Sequence, residues 1–301
     1  MKLGINTGFA VNRYPIPEQW MRIIGKELNL KYIQLTADLI NPAWGNFIID
    51  DLVKRINKCK LEYNINIESI MTGAFTRINH FSHPDENMRI YWKKWFKKLA
   101  DITARLGANN LSSHLGIMCY EDLYNGNKRN FILKETINAW RELAEYCKKI
   151  GLSSLSWEPM SIKREYGETI EETERIQKLF EGSALPINLC LDVDHGDITS
   201  KNPADYDYKT WLKTFANITP FLHIKQSLTD KGGHYPFIEE YNKIGKINPK
   251  DIIAILKEKR SMDTILLLEL SFREREPHDS LVLQHLKESV DYWKNALKEY
   301  D

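Results

Sequence analysis

The chain has 301 residues, 43% hydrophobic and 28% charged, which is enough apolar material for a sizeable core and excludes the composition of disordered chains. Its 42 basic and 41 acidic residues leave a formal charge of +1, so no overall field draws nucleic acid or anionic lipid, and neither is expected as a partner. Length alone admits one large domain or two, because α/β barrels reach this size around a single core.

Short apolar runs alternate with amphipathic, charge-bearing segments from one end to the other. Residues 2–7 form the first β-like run, without the basic and apolar regions of a signal peptide, and no apolar stretch of membrane-spanning length follows. A cytoplasmic protein is expected. A helix is predicted over 17–28, a strand over 31–36, a helix over 49–63, a strand over 66–72 and a helix over 88–106, with Gly107 placed as a C-cap. Next come strand 110–114, helix 131–150 with Gly151 behind it, strand 152–158, helix 169–180, strand 187–192 and helix 209–215. The series closes with strand 221–225, helix 249–257 opened by Asn248-Pro249, strand 264–269 and helix 280–299, for which Asp279 supplies a cap. The cysteines Cys59, Cys119, Cys147 and Cys190 stand far apart with no C-x-x-C pair, as reduced thiols would.

Eight strand and helix pairs without a linker or composition break predict a single-domain (β/α)8 TIM barrel over residues 1–301 rather than a doubly wound sheet. Neither a G-x-G-x-x-G turn nor a P-loop appears, so nucleotide binding has no support.

Active sites of such barrels lie at the C-terminal ends of the strands. The last four runs carry Glu158, Asp192, His223 and Glu269 there, at spacings of 34, 31 and 46 residues, about one βα unit each. Any one of them alone would read as a helix cap or a solvated loop residue. Four in succession read as a site for one divalent cation, manganese, magnesium or cobalt, with zinc as a further alternative. Without a cation, three carboxylates packed together would repel one another.

Around this set stand His195 in Asp192-x-x-His195-Gly, Lys225 two residues after His223, His114 at the end of strand four, and Arg273 and Arg275 beyond Glu269. These are candidates to orient a sugar or, for the arginine pair, to hold a phosphate. His80 and His83 fall in a loop after strand three that could serve as a lid.

Trp157-Glu158-Pro159-Met160, Leu191-Asp192-Val193-Asp194-His195, His223-Ile224-Lys225 and Glu269 resemble the xylose isomerase-like TIM barrel superfamily, in particular its sugar-phosphate isomerase/epimerase group with the ketose 3-epimerases. The resemblance covers essentially the whole chain. It implies Glu158 and Glu269 as metal ligands and catalytic bases, Asp192 and His223 as ligands, His195 as a substrate-orienting group and His114 as pocket lining. Residues 72–77, 157–161, 164–169 and 271–277 further resemble a branch acting on tetrulose phosphates. Relatives often end strand two in a carboxylate where this chain has Gln34-Leu35-Thr36, so substrate contacts are expected to differ on that side.

The implied reaction is 3-epimerisation of a small ketose or ketose phosphate through a metal-stabilised cis-enediolate, with Glu158 and Glu269 exchanging protons on opposite faces. A decarboxylase of a 3-oxo sugar acid would use the same site. A barrel metallonuclease of the apurinic endonuclease type would need more histidines at strand ends and a basic face. A sugar-binding protein would need no pair of opposed bases. Association into a homo-oligomer is common among such barrels.

Overall fold

A computed structural model describes residues 1–229 and 232–300. Eight parallel strands close on themselves: β1 Lys2–Asn6, β2 Tyr32–Thr36, β3 Asn66–Met71, β4 Asn110–His114, β5 Ser154–Glu158, β6 Ile187–Asp192, β7 Phe221–Ile224 and, last in the chain, β10 Ile265–Leu268, which pairs with both β7 and β1. This is the expected (β/α)8 barrel. Helices alternate with these strands: α1 Pro17–Arg22, α2 Asn46–Tyr63, α3 Glu86–Arg105, α4 Tyr120–Tyr124, α5 Gly126–Lys149, α6 Ile170–Lys178, α7 Tyr208–Phe215, α8 Glu239–Asn242, α9 Pro249–Glu258 and α10 Val282–Lys298.

β10 reads Ile-Leu-Leu-Leu and is buried throughout, as a strand covered on both faces must be. Alternation sends Leu222, Ile224, Leu266 and Leu268 into the main core, and Phe221, Ile265 and Leu267 into a small separate cluster with Met71 and Cys190. The second set lies inside the barrel, on the face that also carries His223. On the β3–β5 side the filling is polar: Ser69 donates to Asn110 Oδ1 at 2.9 Å, and the Asn110 amide donates to Ser154 and Ser156 at 2.9 and 3.0 Å. Each of these buried polar groups finds a partner, so the polar layer avoids the penalty of an unmet donor.

The helix ends follow capping chemistry. Gly107 and Gly151 adopt φ of 72° and 93°, the left-handed region that suits a residue without Cβ, and Asn248 accepts from the Lys250 N–H at 3.0 Å ahead of Pro249. Asp279 does not cap the last helix as expected. Its carboxylate accepts from Arg13 Nε at 2.6 Å, and the helix starts three residues later, at Val282. The first helical segment changes at Ile23–Glu27 to a wider π turn, where Tyr63 lies so close that a Cβ on Gly25 would meet its Cβ at 2.7 Å.

One insertion was not foreseen. Between β7 and α9 the chain forms a two-stranded antiparallel hairpin, β8 Gln226–Leu228 with β9 Gly232–Tyr235, followed by the short α8. The hairpin is tied down by Asp194 from the β6 loop, which accepts from the Gly233 N–H at 2.7 Å and from the Ser227 hydroxyl, and pairs with Lys246 at 2.9 Å. No described helix is long and apolar enough to cross a membrane, and all four cysteines are free.

Candidate active site

The strand ends bring Glu158, Asp192, His223 and Glu269 together, with one ligand atom from each all within 4.8 Å of one another. Glu158 and Asp192 close β5 and β6, His223 sits within β7, and Glu269 follows β10, where its N–H donates to the Ile224 carbonyl at 3.0 Å. His223 Nδ1 lies 3.0 Å from Glu158 Oε1, 3.4 Å from Glu269 Oε2 and 3.9 Å from Asp192 Oδ2. Donors bound about 2.0–2.2 Å from one ion stand at most about 4.4 Å apart, so these four need draw in by only a few tenths of an ångström. One imidazole, two buried carboxylates and the half-buried Glu269 therefore fit a divalent cation in both chemistry and spacing.

Gln34 turns His223 to face the carboxylates. Its Oε1 accepts from His223 Nε2 at 2.7 Å and from Asn6 Nδ2 at 2.9 Å, so the proton belongs on Nε2 and the Nδ1 lone pair is available to an ion. The carboxylate expected at the end of strand two is thus replaced by an amide that acts through His223.

Lys225 does not reach the cavity. It is wholly buried, donates to Asp192 Oδ2 and sits 3.4 Å from Glu269 Oε2, because three carboxylates sunk in the barrel mouth require compensating positive charge. Burial alone would raise the Asp192 carboxyl, but His195 and Lys225 outweigh it and hold the group below its ordinary value. Glu269 is likewise held well below the usual range by His223 and Lys225 against the pull of burial. Burial disfavours the charged form of His223, yet Cys190, Glu269 and Glu158 together lift it well above an ordinary imidazole.

The cluster opens into a cavity of about 500 Å3 whose wall includes Glu158, Glu269, His195 and His234. His195 Nδ1 donates to the Pro159 carbonyl at 2.9 Å, which leaves Nε2, 3.8 Å from Asp192 Oδ2, free for a ligand. His234 was missed: it stands on β9 with Nδ1 3.3 Å from Glu269 Oε2 and Nε2 2.9 Å from Lys225 Nζ. The only hint in the sequence was Gly232-Gly233 just before it, a turn signal inside what reads as a connecting loop.

Two further expectations need correction. His114 does not line the cavity. It is buried, donates from Nε2 to the Ile78 carbonyl at 2.8 Å and packs 4.6 Å from the His80 ring. Arg273 and Arg275 are exposed and absent from the cavity wall, where Phe272 and Glu274 of the same segment stand instead. The arginines that do line it are Arg13 and Arg77, on the loops after β1 and β3. His80, in the expected lid loop, is buried against Trp92 and Phe96 and donates to the Thr76 carbonyl at 2.7 Å, so it anchors that loop rather than reaching substrate.

The family comparison likewise finds a TIM barrel. Residues 24–296 match the Xylose isomerase-like TIM barrel family, and the chain belongs to it. It is 39% identical over 295 residues to the D-erythrulose 1-phosphate 3-epimerase of Brucella abortus (strain 2308), covering 97% of this chain and 95% of that protein. A crystal structure from Rhodospirillum rubrum ATCC 11170, described as a candidate xylose isomerase, superposes with a TM-score of 0.89 at 25% identity over 98% of this chain and 99% of that one. The D-psicose 3-epimerase of Clostridium cellulolyticum H10 shares the fold with a TM-score of 0.71 at 14% identity, over 99% of each chain. The expected enzyme class, sugar isomerase or epimerase, agrees with the 39% identical relative.

Proposed function

We propose that this chain is a divalent-metal-dependent 3-epimerase of a ketose phosphate, with a tetrulose phosphate as substrate. The observation that carries the reading is the pair Glu158 and Glu269, which approach His223 Nδ1 to 3.0 and 3.4 Å in a buried cluster that opens on the cavity. The substrate class comes from the 39% identical relative.

Glu158, Asp192, His223 and Glu269 would hold the ion, and their oxygen-rich donor set suits manganese, magnesium or cobalt better than a thiolate site would. Bound there, the ion supplies a Lewis acid that polarises the ketone and offsets negative charge on its oxygen, a contribution of several kcal/mol where water is excluded. The remaining obstacle is the weakly acidic C–H bond beside the carbonyl. One of the two glutamates takes the C3 proton, and the other returns a proton to C3 on the opposite face of the planar cis-enediolate, so configuration inverts with no net change in atoms. β5 and β10 are separated by β6 and β7 in the barrel, which sets the two carboxylates to either side of a bound carbon. A single carboxylate that returned the proton to C2 would instead move the carbonyl to C3, and an aldose would form only if the proton were taken from C1. His195 offers Nε2 to a substrate oxygen, while Lys225 keeps Asp192 and Glu269 ionised. Metal-loaded protein incubated with the tetrulose phosphate in D2O is expected to yield the C3 epimer with one deuterium at C3. Deuterium at C1, or release of CO2 from an oxo acid without epimerisation, would replace this reading.

A further inference from the structure

We propose that Arg77 selects a phosphorylated substrate by gripping its phosphate on the β1–β3 side of the cavity, an inference that rests on the functional reading above. Among the described residues two arginines line this cavity, and they differ in how many donors remain. Arg13 is 12% exposed and committed to the fold, with Nε donating to Asp279 at 2.6 Å and a terminal nitrogen donating to the Phe272 carbonyl at 3.0 Å. Arg77 is 35% exposed, gives one terminal nitrogen to Glu165, and keeps a buried Nε–H with no partner. A guanidinium has five N–H donors in a planar fork, and a phosphate monoester has the acceptor oxygens to take two of them side by side. A ligand of that shape at the fork would also offer an acceptor to the Nε–H of Arg77, which the fold leaves unmet.

The backbone that carries Arg77 is held from both sides. Asp38 accepts from the Phe75 N–H at 3.1 Å and from the Thr76 hydroxyl at 2.7 Å, while His80 donates to the Thr76 carbonyl at 2.7 Å. Gly73 makes this closeness feasible, since a Cβ there would come within 2.0 Å of Thr36 Oγ1. Both oxygens of Asp38, a carboxylate in the cavity wall, are thereby turned into the loop's own hydrogen bonds. On the far side Glu165 lies between two guanidinium groups, with Arg164 at 3.9 Å, so the group of three carries an excess positive charge.

The test compares Arg77→Met, Arg77→Lys and, as a control outside the cavity, Arg273→Met on the tetrulose phosphate and on the same tetrulose without phosphate. Arg77→Met is expected to raise KM for the phosphate ester by about 30-fold or more, with kcat and all parameters for the free sugar within about threefold. Arg77→Lys should recover part of the loss and Arg273→Met should match the wild type. Equal losses on both sugars, no loss on the ester, or a phosphate-specific loss in Arg273→Met overturns the assignment. Calorimetric titration of inorganic phosphate into the wild type and Arg77→Met decides the same point without turnover: binding weakened about tenfold or more supports it, and equal binding overturns it. Phosphate binding through Arg77 in an enzyme that leaves the tetrulose phosphate unchanged would sink the functional reading alone.

Discussion

The barrel mouth buries imidazoles on two sides, and their surroundings give them opposite properties. At β7, His223 faces three carboxylates and, with Cys190 and those carboxylates raising it, lies well above its ordinary pKa in the metal-free protein, so an ion bound at Nδ1 would displace a proton. At β4, His114 faces His80, Arg77 and the Ile78 carbonyl, and burial pushes it well below the ordinary value; burial likewise takes His80 down to about 3. Both His223 and His114 lie at the C-terminal ends of their strands, so position alone does not make a ligand. The charged company supplied by neighbouring strands is what sets His223 apart.

The largest effect that sharpens this contrast is expected from Gln34. Replacing it with Leu removes the acceptor for His223 Nε2 and leaves the ring free to change tautomer. Metal affinity should then fall by about 10–100-fold, or about 1.4–2.8 kcal/mol, as measured by competition with a chelating indicator. Replacing His114 with Asn should leave that affinity unchanged. If Gln34→Leu binds metal like the wild type, the amide has no part in orienting the ligand.

A smaller effect is expected from acid, and the two sides respond with opposite sign. His80 and His114 have depressed folded-state values, so the unfolded chain binds more protons. Their contribution is complete above about pH 6.5 and is lost as pH falls toward 3, at a limiting slope of about 1.4 kcal/mol per pH unit for each. His223 has a raised folded-state value, so its contribution in the metal-free protein is complete below about pH 6.5 and is lost as pH rises through that higher value. Urea unfolding of metal-free protein between pH 4.5 and 8 should therefore give a maximum near pH 6.5. The acid limb should flatten in a His80→Phe variant that folds, because one of its titrating groups is gone. An unchanged limb would remove His80 from the account.

Much of the chemical half of the mouth was legible in the sequence, for a physical reason. Strand residues are placed by the barrel itself, so Glu158, Asp192, His223 and Glu269 could be aligned by counting βα units. The other half was not, because its residues sit on loops whose partners are distant in the chain. The loop that carries Arg77 is held through Phe75 and Thr76 by Asp38 and His80, and Arg77 itself is paired with Glu165, a residue 88 positions away. Arg273 and Arg275 follow Glu269 in sequence but stand exposed outside the cavity wall, and Asp279, which looks like a cap, is taken by Arg13. His234 reaches the cavity only because a hairpin pinned by Asp194 folds back over the mouth. Gln34 could be seen as a departure from its relatives, but its service to His223 depends on a contact across 189 residues.

The central claim is that Glu158 and Glu269 work on opposite faces of one carbon, and exchange of the C3 hydrogen with solvent tests it most directly. Metal-loaded Glu158→Gln and Glu269→Gln are each incubated in D2O with the two C3 epimers separately, and deuterium at C3 is followed by NMR. Each variant is expected to lose epimerisation by about 10^2–10^4-fold while still exchanging the C3 hydrogen of one epimer, with the favoured epimer differing between the two variants. Exchange of both epimers by either variant, or the same favoured epimer in both, would contradict the two-face account.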